Sequence, residues 1–330
     1  MRGDLDVRFA LRLLRLIRDV KPDIVHVHSR RGADLWGGLA GKALGVKTVL
    51  SRRVDNPEPR FPAAVKYDLY DRVIAISQAI SAELIKAGVS RRKLSLVQSA
   101  VDTRRFAPVA DKVQLRKEFG LGQKEAAIGM IAQFIGRKGH MDALRGFAAV
   151  HEKRPDARLI FFGKGPLMER VRACAEDMHI VGACTFAGFR DDLDRLVPCL
   201  DLVIHPARME GLGVSLLQSA ASEIPIIACP AGGIPEIVDH ETTGLLVPFG
   251  SDKALAEAIF KVLDNPAWAA ELGRSARRRV EAHFSLEAMV GGNAAVYRDL
   301  LGEEISRKAC SESRPPPDCN RRSQRALTHK

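Results

Sequence analysis

Short apolar runs alternate with longer amphipathic stretches over most of the 330 residues, and the two spacings predict two kinds of element. Residues 5–20 place Leu5, Phe9, Leu13, Leu16, Ile17 and Val20 at helical spacing, with arginines on the opposite face. Pro22-Asp23 breaks this helix and introduces the apolar strand IVHVH. A second helix is predicted over Ala33–Leu44, stopped by Gly45. A strand at Thr48–Leu50 follows, then a loop carrying Pro57, Pro59 and Pro62, and a helix near Val65–Leu69. The strand RVIAI, a helix over Ala79–Ala87 closed by Gly88, and the strand LSLVQ complete the first half. Strands and helices alternating at this interval imply a parallel sheet covered on both faces.

Residues 108–121 are polar and turn-rich and predict a junction. A second alternation begins at AAIGMIAQF and continues through a helix at Met141–His151, the strand RLIFF and a helix at Leu167–Met178. The strand CTFAG, a helix at Leu193–Leu200 and the strand LVIH come next. From His205 to Val238 lie two glycine-rich turns, Gly211 to Gly213 and Gly232-Gly233, separated by an apolar strand over Pro225–Cys229. Helices over Lys253–Leu263, Ala267–His283 and Leu286–Leu301 finish the patterned part. Residues 302–330 are rich in Ser, Arg and Pro without apolar periodicity and predict a disordered tail.

Composition narrows this picture. A hydrophobic fraction of 46% fits a globular chain of two ordinary domains. The charged N-terminus, with Arg2, Asp4, Asp6 and Arg8, has no secretory apolar core, and no apolar run is long enough for a membrane-spanning helix. The six cysteines, Cys174, Cys184, Cys199, Cys229, Cys310 and Cys319, show no metal-ligand spacing. They read as small buried hydrophobes, with two in the tail, in a reducing cytoplasm. Of the net charge of +11, nearly all lies in residues 1–108, which hold 21 Lys and Arg against 11 Asp and Glu. A basic half with an amphipathic first helix points to phosphate or to an anionic membrane surface. Aromatic residues make up only 5% and no nucleic-acid recognition motif is present, so nucleic acid is not an expected partner.

The glycine turns carry the candidate chemistry. A turn that exposes backbone N–H groups at a helix N-terminus attracts an anion, a phosphate above all. Glu210 stands at the mouth of the first turn, where a carboxylate can accept hydrogen bonds from sugar hydroxyls.

Glu210 with the GGIPEIV segment, Gly163-Lys164-Gly165-Pro166 and the RKGH run at Arg137–His140 together resemble family 4 of the retaining glycosyltransferases. The likeness spans residues from about 20 to 300, and the ordered set of four motifs is specific where a single glycine motif is not. It implies an α/β, GT-B fold, with two facing Rossmann-like domains built on parallel sheets. The N-terminal domain, residues 1–107, is expected to begin after the opening strand, Gly-rich turn and helix of the family and so to expose an unpaired sheet edge or an apolar face. Residues 108–285 are the donor-binding domain, 286–301 a helix crossing back to the first domain, and 302–330 the tail.

The resemblance also implies roles. Glu210 touches the donor sugar, the backbone of Gly211, Leu212, Gly213, Val214 and Ser215 cradles its diphosphate, and Lys138 neutralises that diphosphate. Gly163 and Gly165 fit a turn facing the nucleotide. Two positions depart from the family. Gln218 replaces a ribose-binding glutamate, and Gln133 replaces an arginine, leaving Arg137 and Arg208 as substitute phosphate contacts. On the acceptor side the family histidine is replaced by Ser51-Arg52-Arg53. Arg30, Arg31, Arg52 and Arg53 are therefore candidates for a phosphate-bearing acceptor, while His26 and His28 read as structural.

The expected reaction is transfer of a sugar from a nucleotide-sugar, UDP-linked in expectation, to a sugar or lipid-linked acceptor, with retention and without a metal or other cofactor. A cytoplasmic protein, peripheral on the inner face of the cell membrane, is the expected setting. A truncated, inactive nucleotide-sugar-binding protein is the alternative. A dinucleotide-dependent oxidoreductase is disfavoured because no GxGxxG follows an early strand.

Overall fold

The computed structural model describes residues 7–28 and 32–302. Helix α1 (Val7–Val20) packs on α2 (Ala33–Leu44), with Leu13, Leu14 and Ile17 on its more buried side. Four parallel strands, β1 (Ile24–Val27), β2 (Lys47–Arg52), β3 (Arg72–Ala75) and β4 (Leu94–Leu96), pair in chain order. Among the described residues β1 forms one edge of this sheet, and all of its residues are half-buried. Helices α3 (Arg60–Asp68) and α4 (Gln78–Lys86) provide two of the crossovers.

Three local departures from the sequence pattern have simple causes. α3 starts at Arg60, so Pro62 lies in its first turn, where its missing N–H has no helical partner to lose. Helix α5 (Val113–Glu118) forms inside the turn-rich junction because Asp111 Oδ1 accepts the Val113 N–H at 2.8 Å. The long helix expected over Leu193–Leu200 divides into α8 (Leu193–Leu196) and a 3₁₀ turn, because Pro198 has no N–H to donate to the carbonyl four residues back.

The second sheet is larger. Its strands are β5 (Ala126–Ile131), β6 (Ala157–Phe162), β7 (Cys184–Gly188), β8 (Leu202–His205), β9 (Ile226–Ala228) and β10 (Leu245–Leu246). All are parallel, in the order β10-β9-β8-β5-β6-β7. Helices α6 (His140–Lys153), α7 (Met168–Asp177), α9 (Val214–Ala221), α10 (Ile234–Ile237) and α11 (Asp252–Leu263) belong to this half, as does α12 (Pro266–His283). Strands such as AAIGMI and ARLIFF are buried almost throughout, as expected of central parallel strands covered on both faces. The chain runs outward from β5 to β7 and then returns to place β8 beside β5 on the other side. Loops leaving β5 and β8 therefore diverge at their carboxyl ends and leave a crevice, where α/β sheets bind ligands.

The two halves are joined by more than the linker. Helix α13 (Leu286–Leu301) lies on the first sheet, where Val296 shares an apolar cluster with Val49, Ile74 and Val97. Asp299 pairs with Arg72 at 2.5 Å, and Tyr297 OH is hydrogen-bonded to His26 Nδ1 at 2.5 Å. A second tie runs through Glu236 of α10, in the GGIPEIV segment. Its carboxylate accepts the Ala79 N–H in the first turn of α4 at 3.3 Å and the Gln98 side-chain amide at 2.6 Å. A carboxylate is favoured there by the partial positive charge of a helix N-terminus. Arg279 Nε donates to the Glu236 carbonyl at 2.9 Å and fixes α10 from the other side.

Glu236→Ala removes both interdomain acceptors at once. The variant is expected to lose about 1–3 kcal/mol of stability, since two donors are left without their partner. Its Ala79 amide should exchange hydrogen faster in deuterated water. An Ala79 exchange rate equal to that of the unsubstituted protein would show that Glu236 does not hold the halves together.

Candidate active site

The crevice between the loops after β5 and β8 assembles the charged pair. Lys138 comes from the β5 loop, at the end of a 3₁₀ turn over Gly136–Lys138. Glu210 comes from the loop after β8. Although 72 residues apart, they meet with Lys138 Nζ 2.5 Å from Glu210 Oε2, and both side chains are largely buried. His205, the last residue of β8, places Nε2 2.9 Å from the same oxygen, and Glu210 Oε1 accepts the Gly211 N–H at 3.2 Å. Burial alone would raise the Glu210 pKa. The hydrogen bond and attraction from His205, followed by those from Lys138, outweigh burial and hold the carboxyl at about 2.

The turn after Glu210 is built for close approach. Gly211, Leu212 and Gly213 are buried, Val214 is exposed and Ser215 half-buried. Gly213, with φ +101°, precedes α9 and no side chain caps it; the Leu216 N–H donates to the Gly213 carbonyl at 2.9 Å, while the Val214 and Ser215 amides ahead of it have no intrahelical acceptor. The second glycine turn lies directly beneath. A Cβ on Gly232 would overlap the Glu210 carbonyl oxygen, and its φ of +52° is itself unfavourable to other residues. Gly163 and Gly165 close the far side: the Gly163 N–H donates to the Gly188 carbonyl at 2.7 Å, and Gly165 packs on the backbone of Phe134.

The remaining expected donor-site residues separate in space. Gln133 is exposed just beyond β5. Arg137 turns away from its neighbour Lys138, towards the first half, with NH1 2.9 Å from Asn56 Oδ1 and 3.5 Å from Asp55 Oδ1. Arg208 is exposed and stacks over the Phe249 ring at 4.2 Å, while its backbone N–H donates to the Arg137 carbonyl. Gln218 is half-buried, one turn along α9 from Val214.

On the opposite wall the structure corrects one expectation. Arg52 is not available to an acceptor. Its side chain is 9% exposed, with NH1 donating to Glu58 Oε1 at 2.8 Å and NH2 to the Asn56 carbonyl at 2.7 Å. Lys66 and Tyr67 also bind Glu58, so Arg52 belongs to a buried network that shapes the loop over residues 53–59. Burial opposes ionisation of Glu58, but Lys66 and Arg52 outweigh it and keep its pKa below the usual carboxylate value. That loop reaches the glycine turns: a Cβ on Gly211 would lie 2.9 Å from the Arg53 carbonyl oxygen. Arg30 and Arg31 lie outside the described residues. His26 is bonded to Tyr297 and to Ser51 Oγ at 2.9 Å; burial, then the adjacent His28, lower its pKa to about 4. Among the described residues no group of three or more His, Cys, Asp and Glu has metal-binding geometry.

Sequence reasoning missed His205, Glu236 and the Asp55-Asn56 pair. His205 carried a faint signal, a polar ring ending the apolar strand LVIH five residues before Glu210.

The family described as "Glycosyl transferases group 1" matches residues 111–279, more than half of the chain, and "Glycosyltransferase Family 4" matches residues 1–105. The chain is a group 1, family 4 glycosyltransferase. The relatives of this glycosyltransferase include the N-acetyl-alpha-D-glucosaminyl L-malate synthase of Bacillus anthracis. It is 25% identical over 312 residues, covering 92% of this chain and 81% of the relative. The GDP-mannose-dependent alpha-(1-6)-phosphatidylinositol monomannoside mannosyltransferase of Mycobacterium tuberculosis is 29% identical over 248 residues, 72% of this chain and 63% of the relative. The chain thus spans less than two thirds of that relative's length. The fold is that of Anabaena HepE, solved with UDP-glucose (TM-score 0.80, 20% identity, 89% of this chain and 82% of that one). A glycosyltransferase from Rickettsia africae superposes similarly (TM-score 0.79, 21% identity, 88% and 80%).

The depressed pKa of Glu210 sets a pH signature for the glycosyltransferase. A carboxyl group lowered in the folded state contributes stability that is complete above its unfolded value of 4.5 and is lost as pH falls towards about 2. Glu210→Gln should therefore flatten the stability profile between about pH 5 and pH 2 while leaving its shape at neutral pH unchanged. Chemical denaturation across that range would reveal it; parallel profiles for the two proteins would contradict the assignment.

Proposed function

We propose that this glycosyltransferase moves a sugar from a nucleoside-diphosphate donor, UDP-linked, to a hydroxyl of a sugar or lipid-linked acceptor, with retention at the anomeric carbon. The observation that carries the reading is the meeting of Lys138 and Glu210 over an uncapped glycine turn at the start of α9, in the crevice facing the other half. When the bond between the anomeric carbon and the diphosphate oxygen breaks, negative charge collects on phosphate oxygens. The Lys138 ammonium and the amides of the turn from Leu212 to Ser215 stabilise that charge, the Gly211 amide being held by Glu210 Oε1. Glu210 accepts hydrogen bonds from the sugar hydroxyls and orients the ring. The acceptor oxygen bonds to the anomeric carbon from the same face, and its proton passes to the departing phosphate.

A retained donor-binding protein without turnover is the second reading, favoured by Gln133 and Gln218 in place of charged family residues. Thermal shift with UDP-, GDP- and ADP-linked sugars identifies the donor, because saturation at 100 times Kd adds about 2.7 kcal/mol to stability. Lys138→Ala should then reduce donor turnover about 10²- to 10³-fold. Stabilisation by a donor without hydrolysis or transfer selects the second reading, and full activity in Lys138→Ala removes Lys138 from the mechanism.

The setting proposed is cytoplasmic, with the protein held to the inner face of the membrane through α1. Exposed Leu11, Leu16 and Val20 stand there among exposed Arg8, Arg15 and Arg18, an arrangement suited to an anionic interface. Among the described residues no helix is long and apolar enough to cross a membrane. Co-sedimentation should rise with the anionic lipid content of vesicles and fall when the three arginines are replaced by alanine, by about 1 kcal/mol for each charge near the surface. Equal binding to neutral and anionic vesicles would overturn this attachment.

A further inference from the structure

The carboxylate at the centre of the site is held from behind by an imidazole ring with no other hydrogen-bond partner among the described residues. His205 is 1% exposed at the end of β8, and its Nε2 lies 2.9 Å from Glu210 Oε2. A carboxylate only accepts, so Nε2 carries the hydrogen. The other ring nitrogen, Nδ1, is buried without a hydrogen-bond partner. His140, the neighbouring buried ring, is stacked on Phe134 with ring centroids 4.1 Å apart. An aliphatic side chain would fill the end of an apolar strand at no such desolvation cost. The contact with Glu210 is what the imidazole offers in return.

Lys138 shares the same Oε2. A diphosphate bound over the turn competes for that ammonium, and phosphate, with its greater charge, draws it away from the carboxylate. Glu210 then keeps His205 on Oε2 and the Gly211 N–H on Oε1. We propose that His205 is a positioning residue for the donor sugar, holding Glu210 in register when Lys138 turns to the diphosphate. This rests on the nucleotide-sugar reading above. It separates two jobs within one site: Lys138 and the turn amides bind the nucleotide part, while the His205–Glu210 pair reads the sugar.

The separation is measurable by calorimetry with matched pairs of probes: UDP-glucose and UDP, GDP-mannose and GDP, ADP-glucose and ADP. In His205→Phe, affinity for the nucleotide should stay within about twofold. Affinity for the matching nucleotide-sugar should fall about tenfold or more, the effect of losing a hydrogen bond to a charged group. His205→Gln places an amide N–H near the position of Nε2 and should keep the sugar preference, whereas His205→Asn, one methylene shorter, should lose it. This polar pair decides the matter even if the phenylalanine variant does not fold. Equal sugar preference in the Asn and Gln variants, or equal loss of nucleotide and nucleotide-sugar affinity in both, would overturn the proposal. If the unsubstituted protein binds none of the three pairs, the donor reading itself fails and the proposal with it.

Discussion

The structure depends on backbone packed directly against backbone at the carboxyl edge of the second sheet. Gly232 lies under the Glu210 carbonyl so closely that a single methyl group would not fit. Gly211, one residue on, meets the Arg53 carbonyl of the opposite half. Contacts of this kind leave the loops almost no freedom, because interiors at this density do not deform without cost. Glu210 is thereby placed by main-chain packing before any ligand arrives, which is the preorganisation that stabilisation of a leaving group needs. The same contacts bring residues 53–59 to the crevice, so the first half forms the second wall of the site.

Charge is distributed around that frame unevenly. Lys138 and Arg137 are adjacent in sequence, yet one points to Glu210 and the other to Asp55 and Asn56 across the crevice. Arg137 therefore acts as a link between halves, alongside Glu236 with Ala79 and Gln98. Arg208 is committed to the Phe249 face. Lys138 is the cation paired with Glu210, and amide dipoles at the start of α9 stand beside it. A site weighted towards dipoles rather than side-chain cations gains less from long-range attraction and more from exact placement of the leaving group.

Much of this was legible in the sequence, for identifiable reasons. Apolar periodicity is local, so the alternation of strands and helices and the glycine turns could be read from adjacent residues. Glu210 was readable because its glycine neighbours announce a turn. Arg52 was misread because its partners are set by tertiary structure: exposed arginine and buried, carboxylate-paired arginine look alike in a sequence, and only the fold brings Glu58, Lys66 and Tyr67 around it. Glu236 was hidden in the same way, since Ala79 and Gln98 lie 157 and 138 residues away. α8 shows the converse case, in which Pro198 was visible but its neighbouring apolar positions suggested an unbroken helix.

The position of Gln218 ties these strands together. It lies on the exposed side of α9 with Val214, half-buried, at the helix whose first turn is proposed to hold the diphosphate. A neutral amide there accepts a hydroxyl hydrogen bond more weakly than a carboxylate would. It also brings no negative charge to the neighbourhood of the proposed phosphates, where like-charge repulsion would act against binding. Neutral side chains at Gln133 and Gln218 leave the Lys138 ammonium and the amides that start α9 as the groups proposed to meet the diphosphate.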